Sequence, residues 1–258
     1  MRSIPLALNT LREAIRDKIL YVILLFAIIL IASGVLLTTL SLNQENKIVM
    51  DLGLSSISIF GLIITVFVGT NLLNKEIDKK TIYLLLSKPM HRADFIMGKF
   101  LGLSLTLLII TLSMGLAFYA VLWYTSGGLS GIMPILESSA QALLLIYLEL
   151  VVLTAVAVFF STFATPIMGA IFTLAAYTIG HMSNDIVAFG KLSKNPVLEQ
   201  ISQLMFYVLP DLERLNLKNH LMTSAVPSEV LGGSLAYGLM YTLALLFLSM
   251  AIFDFKEF

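Results

Sequence analysis

The chain has 258 residues, of which 58% are hydrophobic and only 12% are charged, with 16 basic and 16 acidic side chains and no cysteine. Soluble domains carry roughly 45–50% apolar and about 25% charged residues, so this composition argues against a soluble enzyme, a nucleic-acid binder, a disordered chain and a disulfide scaffold. Together with a mean hydropathy of +0.94, it indicates a polytopic membrane protein.

The first segment of the chain has the pattern of an amphipathic helix. Its apolar residues recur at helical spacing, with polar and charged residues between them: Leu8, Leu11, Ile15 and Ile19. Charges interrupt the segment, and no short apolar core precedes a small-residue cleavage site, so the pattern is not that of a signal peptide. We expect residues 1–18 to form a helix on the membrane surface, with a solvated tail as the alternative.

Six stretches are long and apolar enough to cross a membrane. A bilayer core about 30 Å thick needs roughly 20 mostly apolar residues per helix. The runs are continuous rather than alternating, which favours helices over β-barrel strands. The predicted spans are 19–44, the stretch between Asp51 and Lys75, the stretch from Lys99 to Ser126–Gly128, about 139–163, 166–183 and the stretch between Glu229 and Asp254. The predicted fold is therefore all-α, with six transmembrane helices in a single domain covering residues 1–258.

The distribution of basic residues predicts the orientation of these spans. The amino-terminal segment, the loop between spans two and three, and the tail would share one side of the membrane, and they carry 11 of the 16 basic residues. Because Lys and Arg concentrate in cytoplasmic loops, we expect that side and both termini to be cytoplasmic. The external loop 184–228 has four basic residues, but long loops count little in this rule.

The cytoplasmic loop, residues 74–99, joins a charged cluster to a short apolar run. The run Ile82–Leu86 is too short to span a membrane, so it must be buried against the helix bundle or another protein. Pro89 lacks a backbone N–H and disfavours helix at Lys88, which indicates a corner between two short helices. The alternative is a tight turn along the membrane, in which the charges serve only as topology signals.

The external loop contains a second predicted amphipathic helix. Asn195 followed by Pro196 is typical of a helix start, and Pro210 should kink or end the helix. Its apolar residues recur in steps of three and four: Leu198, Ile201, Met205, Val208, Leu212 and Leu215. Two roles fit this helix, namely a cap packed on the outer ends of the spans and a lid over an exit path.

Glu149 is the only acidic residue well inside a predicted span. Intramembrane acids are costly and face protein or water, so Glu149 is a candidate functional residue. It could contact cargo, take up a proton, or pin two helices by accepting a hydrogen bond from Tyr, Ser or Thr. His181 lies near the outer end of span five. This position favours a packed or interfacial histidine over a metal ligand. No two of the three histidines have chelating spacing, so we expect no metal site.

A set of motifs runs through the cytoplasmic loop in a fixed order: Glu76, Thr81, Leu84–Leu85, Ser87–Lys88–Pro89, Arg92 and Gly98–Lys99. This order resembles the loop of the type-2 ABC transporter permeases, which are the membrane-spanning subunits of ATP-driven exporters. Residues 9–21 are similar to the amino-terminal elbow helix of the same family. Further similar positions are Ser161–Phe163, Gly180–His181 and Leu209–Leu212. Lys80 differs from the pattern, because many members have Gly before the Thr.

The resemblance implies that the loop docks on a separate ATP-binding subunit and transmits its motion to the helices. The implied contact residues are Glu76, Asp78, Lys80, Thr81, Leu85, Ser87, Lys88, Pro89 and Arg92. Apolar members would fill a groove on the partner, and charged members would pair at its rim. Gly98–Lys99 is followed by Phe100 and lacks a Gly five residues earlier, so it is no Walker motif. We therefore expect no nucleotide-binding domain and no enzymatic activity in this chain, with ATP and Mg bound by the partner.

The predicted function is that of a permease subunit that forms the export path across the inner membrane of a prokaryote. The implied partners are two copies of an ABC ATPase, a second identical or homologous permease chain and membrane lipid, without nucleic acid. Small residues in span five, Gly169, Thr173, Ala176 and Gly180, fit either packing within the chain or the seam between two permeases.

Two other function classes are weighed against this one. An ion-coupled secondary carrier using Glu149 would favour several intramembrane charges and broken helices in corresponding halves, and the sequence has one such acid and no convincing repeat. An intramembrane enzyme would need a nucleophile motif, and none surrounds a serine. The sequence does not identify the cargo.

Overall fold

The structure is a computed structural model that describes residues 3–38, 45–78, 92–193, 195–217 and 225–255, and all regular structure in these ranges is α-helical. The helices are α1 (Ser3–Ile15), α2 (Lys18–Thr38), α3 (Glu45–Asp78), α4 (Arg92–Thr125), α5 (Leu129–Ser161), α6 (Pro166–His181), α7 (Ser183–Leu192), α8 (Pro196–Val208) and α9 (Ser228–Asp254). This confirms the predicted all-α fold.

Four helices among the described residues are long and apolar enough to cross a membrane. They are Asn46–Thr70 within α3, and the whole of α4, α5 and α9. A fifth candidate is the pair of α1 and α2, which is bent by 65° at its break. Helix α6 has 16 residues, about 24 Å, and is shorter than the roughly 20 residues that a bilayer core needs. The chain is therefore a multi-pass membrane protein, and the count of six spans stays a prediction.

Two helices extend beyond the predicted spans because their charged residues are tolerated at exposed positions. Helix α3 begins six residues before Asp51, and α5 begins eight residues before Glu137, and both acids are exposed. Only Ser126–Gly128 separates α4 from α5. Gly127 and Gly128 have φ of 72° and 100°, a conformation that glycine adopts without steric cost. Helices α4 and α5 are thus joined by a tight turn at the predicted end of span three.

Helix α5 is the centre of the bundle. Its residues Leu145–Ala157 are almost entirely buried, and α3, α4, α6 and α9 all pack against it. Glycines allow the closest approaches: a Cβ at Gly61 of α3 would lie 2.5 Å from Leu150 Cδ1, and one at Gly238 of α9 would lie 2.8 Å from Leu148 Cδ2. Glu149 therefore lies between two leucines that are in tight contact with neighbouring helices.

Helix α1 packs along the beginning of α4 through small residues. Ala7, Thr10 and Ala14 are buried, whereas Ile4 and Leu8 are exposed. The helix thus presents apolar side chains outward on one face and is packed on another. That arrangement is compatible with the predicted surface helix, and its position in a membrane stays a prediction.

Helix α8 in the loop 184–228 begins and ends as its sequence predicts. Asn195 Oδ1 accepts a hydrogen bond from Val197 N–H at 3.0 Å, and α8 ends at Val208, two residues before Pro210. The predicted continuous apolar face is divided, because Leu212 and Leu215 are buried in the core while Leu198 and Ile201 remain exposed. The turn Leu209–Leu215 is therefore the part of this loop that packs on the bundle.

The four small residues of α6 are all buried within the chain: Gly169, Thr173, Ala176 and Gly180. A Cβ at Gly169 would lie 3.5 Å from Thr70 Cγ2 of α3, an ordinary contact. One at Gly180 would lie 2.5 Å from the Pro210 carbonyl oxygen. This stripe therefore packs within the chain, on α3 and on the turn after α8.

Candidate functional site

Three of the predicted partner-binding residues, Glu76, Asp78 and Arg92, lie at one end of the bundle, which we call the loop end and define by Asp78, Arg92 and Asp254. Helices α3 and α4 run antiparallel, with Gly53 opposite Phe118, so Asp78 and Arg92 are brought to the same end. Glu76 and Asp78 belong to the last turn of α3. The other predicted residues before Arg92 lie outside the described ones: Lys80, Thr81, Leu85, Ser87, Lys88 and Pro89.

Arg92 connects the first turn of α4 to the end of α9. Its Nη1 donates hydrogen bonds to the carbonyl oxygens of Phe253 at 3.2 Å and Asp254 at 2.9 Å. A cation is favourable at a helix carboxyl terminus, where the last carbonyls have no partner within the helix. Phe95 and Phe253 stack below this contact, with ring centroids 5.7 Å apart. The predicted role of Arg92 at a partner's rim stays a prediction, beside this contact within the chain.

Lys99 is buried at the same end, with 1% of its surface exposed. Its Nζ lies 6.0 Å from the centroid of the Phe95 ring, within the range of a cation–π interaction. The neighbouring Gly98 has a packing role: a Cβ there would lie 2.6 Å from Leu6 Cδ2 of α1, and one at Gly102 would lie 2.7 Å from the Ala7 carbonyl oxygen. The Gly98–Lys99 motif therefore places α1 directly against α4.

These contacts make the loop end a junction of several elements. The start of α4 touches α1 through Gly98, α9 through Arg92 and Phe95, and α5 through the cluster that contains Val151, Ala155 and Val158. A displacement of the chain just before Arg92 would act on three packed helices at once. Packed interfaces transmit such displacements because they are stiff.

Glu149 and His181 form a buried polar pair in the interior of the bundle. Glu149 Oε1 lies 3.5 Å from His181 Nε2, and the two side chains are 1% and 19% exposed. His181 Nδ1 lies 3.1 Å from the Tyr177 carbonyl oxygen, and the two rings have centroids 4.4 Å apart. The expected role of Glu149 as a helix pin with a Tyr, Ser or Thr donor stays a prediction, and the structure adds His181 as a neighbour of its carboxylate.

Sequence reasoning treated Glu149 and His181 separately, although a signal for their pairing exists. Glu149 lies 12 residues before the end of α5, and His181 lies 15 residues after the start of α6. The two helices are joined by the short turn 162–165, so residues at similar distances from that turn meet in an antiparallel hairpin. The count from the turn would have found this pair.

A second polar cluster fixes the turn after α8 and was not assigned a role from the sequence. Asp211 Oδ1 accepts from Ser183 Oγ at 2.8 Å, and Arg214 Nε lies 3.1 Å from Asp211 Oδ2. The Asp211 N–H donates to the hydroxyl of Tyr237 in α9 at 2.7 Å. The Leu212 N–H donates to the Gly180 carbonyl at the end of α6 at 3.1 Å. This cluster ties α6, α7 and α9 together, which favours the cap interpretation of the external loop.

Comparisons with known proteins agree with the arrangement of helices and loop motifs. The family model described as "ABC-2 family transporter protein" matches residues 4–257. A comparison with curated proteins finds no match. The family match covers nearly the whole chain and confirms the resemblance to type-2 ABC transporter permeases. The chain belongs to the ABC-2 family of transporter proteins.

Proposed function

We propose that this chain is the permease subunit of an ABC exporter and forms the path for its cargo across the cytoplasmic membrane of a prokaryote. A separate ABC ATPase, present in two copies and bound at the loop end, would supply the energy by hydrolysing ATP with Mg. A second permease chain, identical or homologous, would complete the path. The family match over residues 4–257 is the observation that carries this proposal.

The geometry of the loop end supports a role in transmitting motion. Segment 79–91 lies between α3 and α4 in the chain, and Arg92 directly after it is bonded to the end of α9. A partner that moves this segment would therefore displace α4, and through it α1 and α9. In the proposed assembly Leu85 enters a groove on the ATPase, while Glu76, Asp78, Lys80, Lys88 and Arg92 pair at its rim.

The test is co-purification of the permease with candidate ABC ATPases from the same organism, followed by measurement of ATP hydrolysis in lipid nanodiscs. Leu85→Glu should reduce recovery of the ATPase roughly tenfold, because a buried apolar contact at an interface core is replaced by a charge. Lys47→Glu changes an exposed residue at the opposite end of the bundle and serves as the control. Normal assembly and hydrolysis with Leu85→Glu would refute the proposed contact.

The buried pair of Glu149 and His181 favours one alternative, an ion-coupled secondary carrier that uses Glu149. Such a carrier would move its cargo in response to a proton gradient, with no ATPase bound. Failure of every candidate ATPase to associate, combined with gradient-driven uptake into proteoliposomes, would support this alternative over the exporter.

A further inference from the structure

Glu149 and His181 meet between α5 and α6, at similar distances from the turn that joins their helices. Twelve residues separate Glu149 from the end of α5, and 15 separate His181 from the start of α6. At 1.5 Å per residue these distances are about 18 Å and about 22 Å. Glu149 is 1% exposed and His181 is 19% exposed, so the pair lies where the protein largely excludes water and a net charge is costly.

The orientation of the imidazole ring determines which of its nitrogens carries a hydrogen. Nδ1 lies 3.1 Å from the Tyr177 carbonyl oxygen, and a carbonyl oxygen only accepts hydrogen bonds, so Nδ1 is the donor. In a neutral ring the other nitrogen, Nε2, is then an acceptor. Nε2 faces Glu149 Oε1 at 3.5 Å, and an ionised carboxylate is also only an acceptor. Nε2 and Oε1 can therefore form a hydrogen bond with each other only when one of them carries a proton.

We propose that Glu149 and His181 form a proton-binding site within the helix bundle, in which one proton is shared between Oε1 and Nε2. With that proton the site is neutral overall, either as imidazolium with carboxylate or as imidazole with carboxylic acid. Without it, two acceptors and one negative charge face each other in a buried position. The bound proton thus holds the end of α6 against α5.

Among the described residues, the surrounding elements contribute the titratable neighbour Tyr177, whose ring is tilted by 48° to that of His181 with centroids 4.4 Å apart. The sequence has no charged residue between Asp51 and Lys75 in α3, and none between Glu229 and Asp254 in α9. In α5, Glu149 is the only charged residue after Glu137. The tyrosines of α9 that approach this region donate to or accept from the backbone of the turn after α8: Tyr237 and Tyr241. Between the end of α6 and residue 217, the following charged side chains near the end of α6 are exposed or paired in the part of the chain that the structure describes: Asp185, Lys191, Asp211, Glu213 and Arg214.

The end of α6 is also hydrogen-bonded to the turn after α8, so loss of the proton should change the position of that turn. The Gly180 carbonyl accepts from Leu212 N–H, and Ser183 donates to Asp211. Release of the proton should move the end of α6, together with the turn after α8, away from α5. This movement does not depend on an ATPase partner, so the inference stands or falls independently of the proposed exporter function.

The test uses ¹⁵N-histidine NMR on the permease alone in lipid nanodiscs. The chain has three histidines, so a His91→Gln/His220→Gln background leaves His181 as the only one. We expect Nδ1 to stay protonated from about pH 5 to about pH 10, and Nε2 to lose its proton in a single transition. A ring that carries its hydrogen on Nε2 when neutral would overturn the proposal, and this result needs no change at Glu149.

Glu149→Gln in the same background tests the second member of the pair. Gln removes the negative charge and offers an N–H donor to Nε2, so the affinity of His181 for its proton should fall about tenfold or more. The matched control is Glu137→Gln, an exposed acid on the same helix, which should leave the transition unchanged. If Nε2 loses its proton at the same pH in the parent protein and in Glu149→Gln, the shared-proton site is refuted.

The movement is measured by electron–electron distance spectroscopy. The chain has no cysteine, so labels can be placed at Leu144→Cys on α5 and Met182→Cys after α6, both exposed positions. The label distance should increase when the pH passes the Nε2 transition, and it should be independent of pH in Glu149→Gln. A constant distance in the parent protein across the transition would refute the coupling of the proton to the position of α6.

Discussion

Nη1 of Arg92 lies 2.9 Å from the carbonyl oxygen of Asp254, which bonds the first residue of α4 to the last residue of α9 across 162 positions of sequence. The acceptor is a backbone carbonyl at a helix terminus, where the helix dipole is negative. The contact stands directly after segment 79–91. It therefore joins the segment proposed to meet the ATPase to the last membrane-spanning helix.

Arg92→Ala should lower the free energy of unfolding by about 1 kcal/mol, because two terminal carbonyls of α9 lose a charged donor. Thermal unfolding in detergent, followed by tryptophan fluorescence or circular dichroism, measures this change. Lys18→Ala removes an exposed basic residue at the start of α2 and should have little effect. Equal unfolding temperatures for the two variants would contradict the stabilising role of Arg92.

Gly98→Ala and Gly102→Ala should each destabilise the protein by about 1–3 kcal/mol, because the added methyl group would overlap α1. The ideal Cβ positions lie 2.6 Å from Leu6 Cδ2 and 2.7 Å from the Ala7 carbonyl oxygen. Gly232→Ala in α9 is the control, since nothing lies within 4 Å of its Cβ, and it should stabilise by up to about 1 kcal/mol. Increased hydrogen exchange in α1 would locate the damage. If the backbone amides of α1 exchange at the parent rate in both the Gly98 and the Gly102 variants, α1 does not pack on these glycines.

Gly180→Ala should be destabilising by a similar amount, about 1–3 kcal/mol, because its Cβ would lie 2.5 Å from the Pro210 carbonyl oxygen. Gly169→Ala provides a control in the same helix and the same stripe, with its nearest atom at 3.5 Å. We expect Gly169→Ala to be neutral or slightly stabilising in the same thermal assay. If the order of the two variants is reversed, the turn after α8 does not pack on α6 as described.

Asp211→Ala should release the turn after α8, because Ser183 and Arg214 lose their shared acceptor. The expected cost is about 1–3 kcal/mol, as for a buried hydrogen-bonded group that loses its partner. Limited proteolysis within residues 209–216 should become faster. Asp185→Ala, an exposed acid of α7, should leave the cleavage rate unchanged. Resistance to proteolysis in Asp211→Ala would mean that the tyrosine contacts to α9 are enough to hold this turn.

Local chemistry determined much of the fold from the sequence alone. Continuous apolar runs must form helices in a membrane, because only a helix satisfies its own backbone hydrogen bonds within one segment. Asn195 caps α8, and the glycines after Ser126 adopt positive φ, for reasons that involve only their nearest neighbours. The order of short motifs along the chain also pointed to the family that the match over residues 4–257 confirms. The predicted span from about residue 139 does not mark the beginning of α5, because an exposed Glu137 does not interrupt a helix.

Tertiary structure alone decided which residues meet. The acceptors of Arg92 are main-chain carbonyls, which have no sequence signature, and they lie more than 160 positions away. Gly98 follows the family pattern, but only the position of α1 explains why a side chain would not fit there. Glu149 stands out in the sequence as an acid inside a predicted span, whereas His181 does not stand out. Their distance and the hydrogen bond of Nδ1 to the Tyr177 carbonyl make them one site, because a shared proton requires two acceptors that face each other in three dimensions.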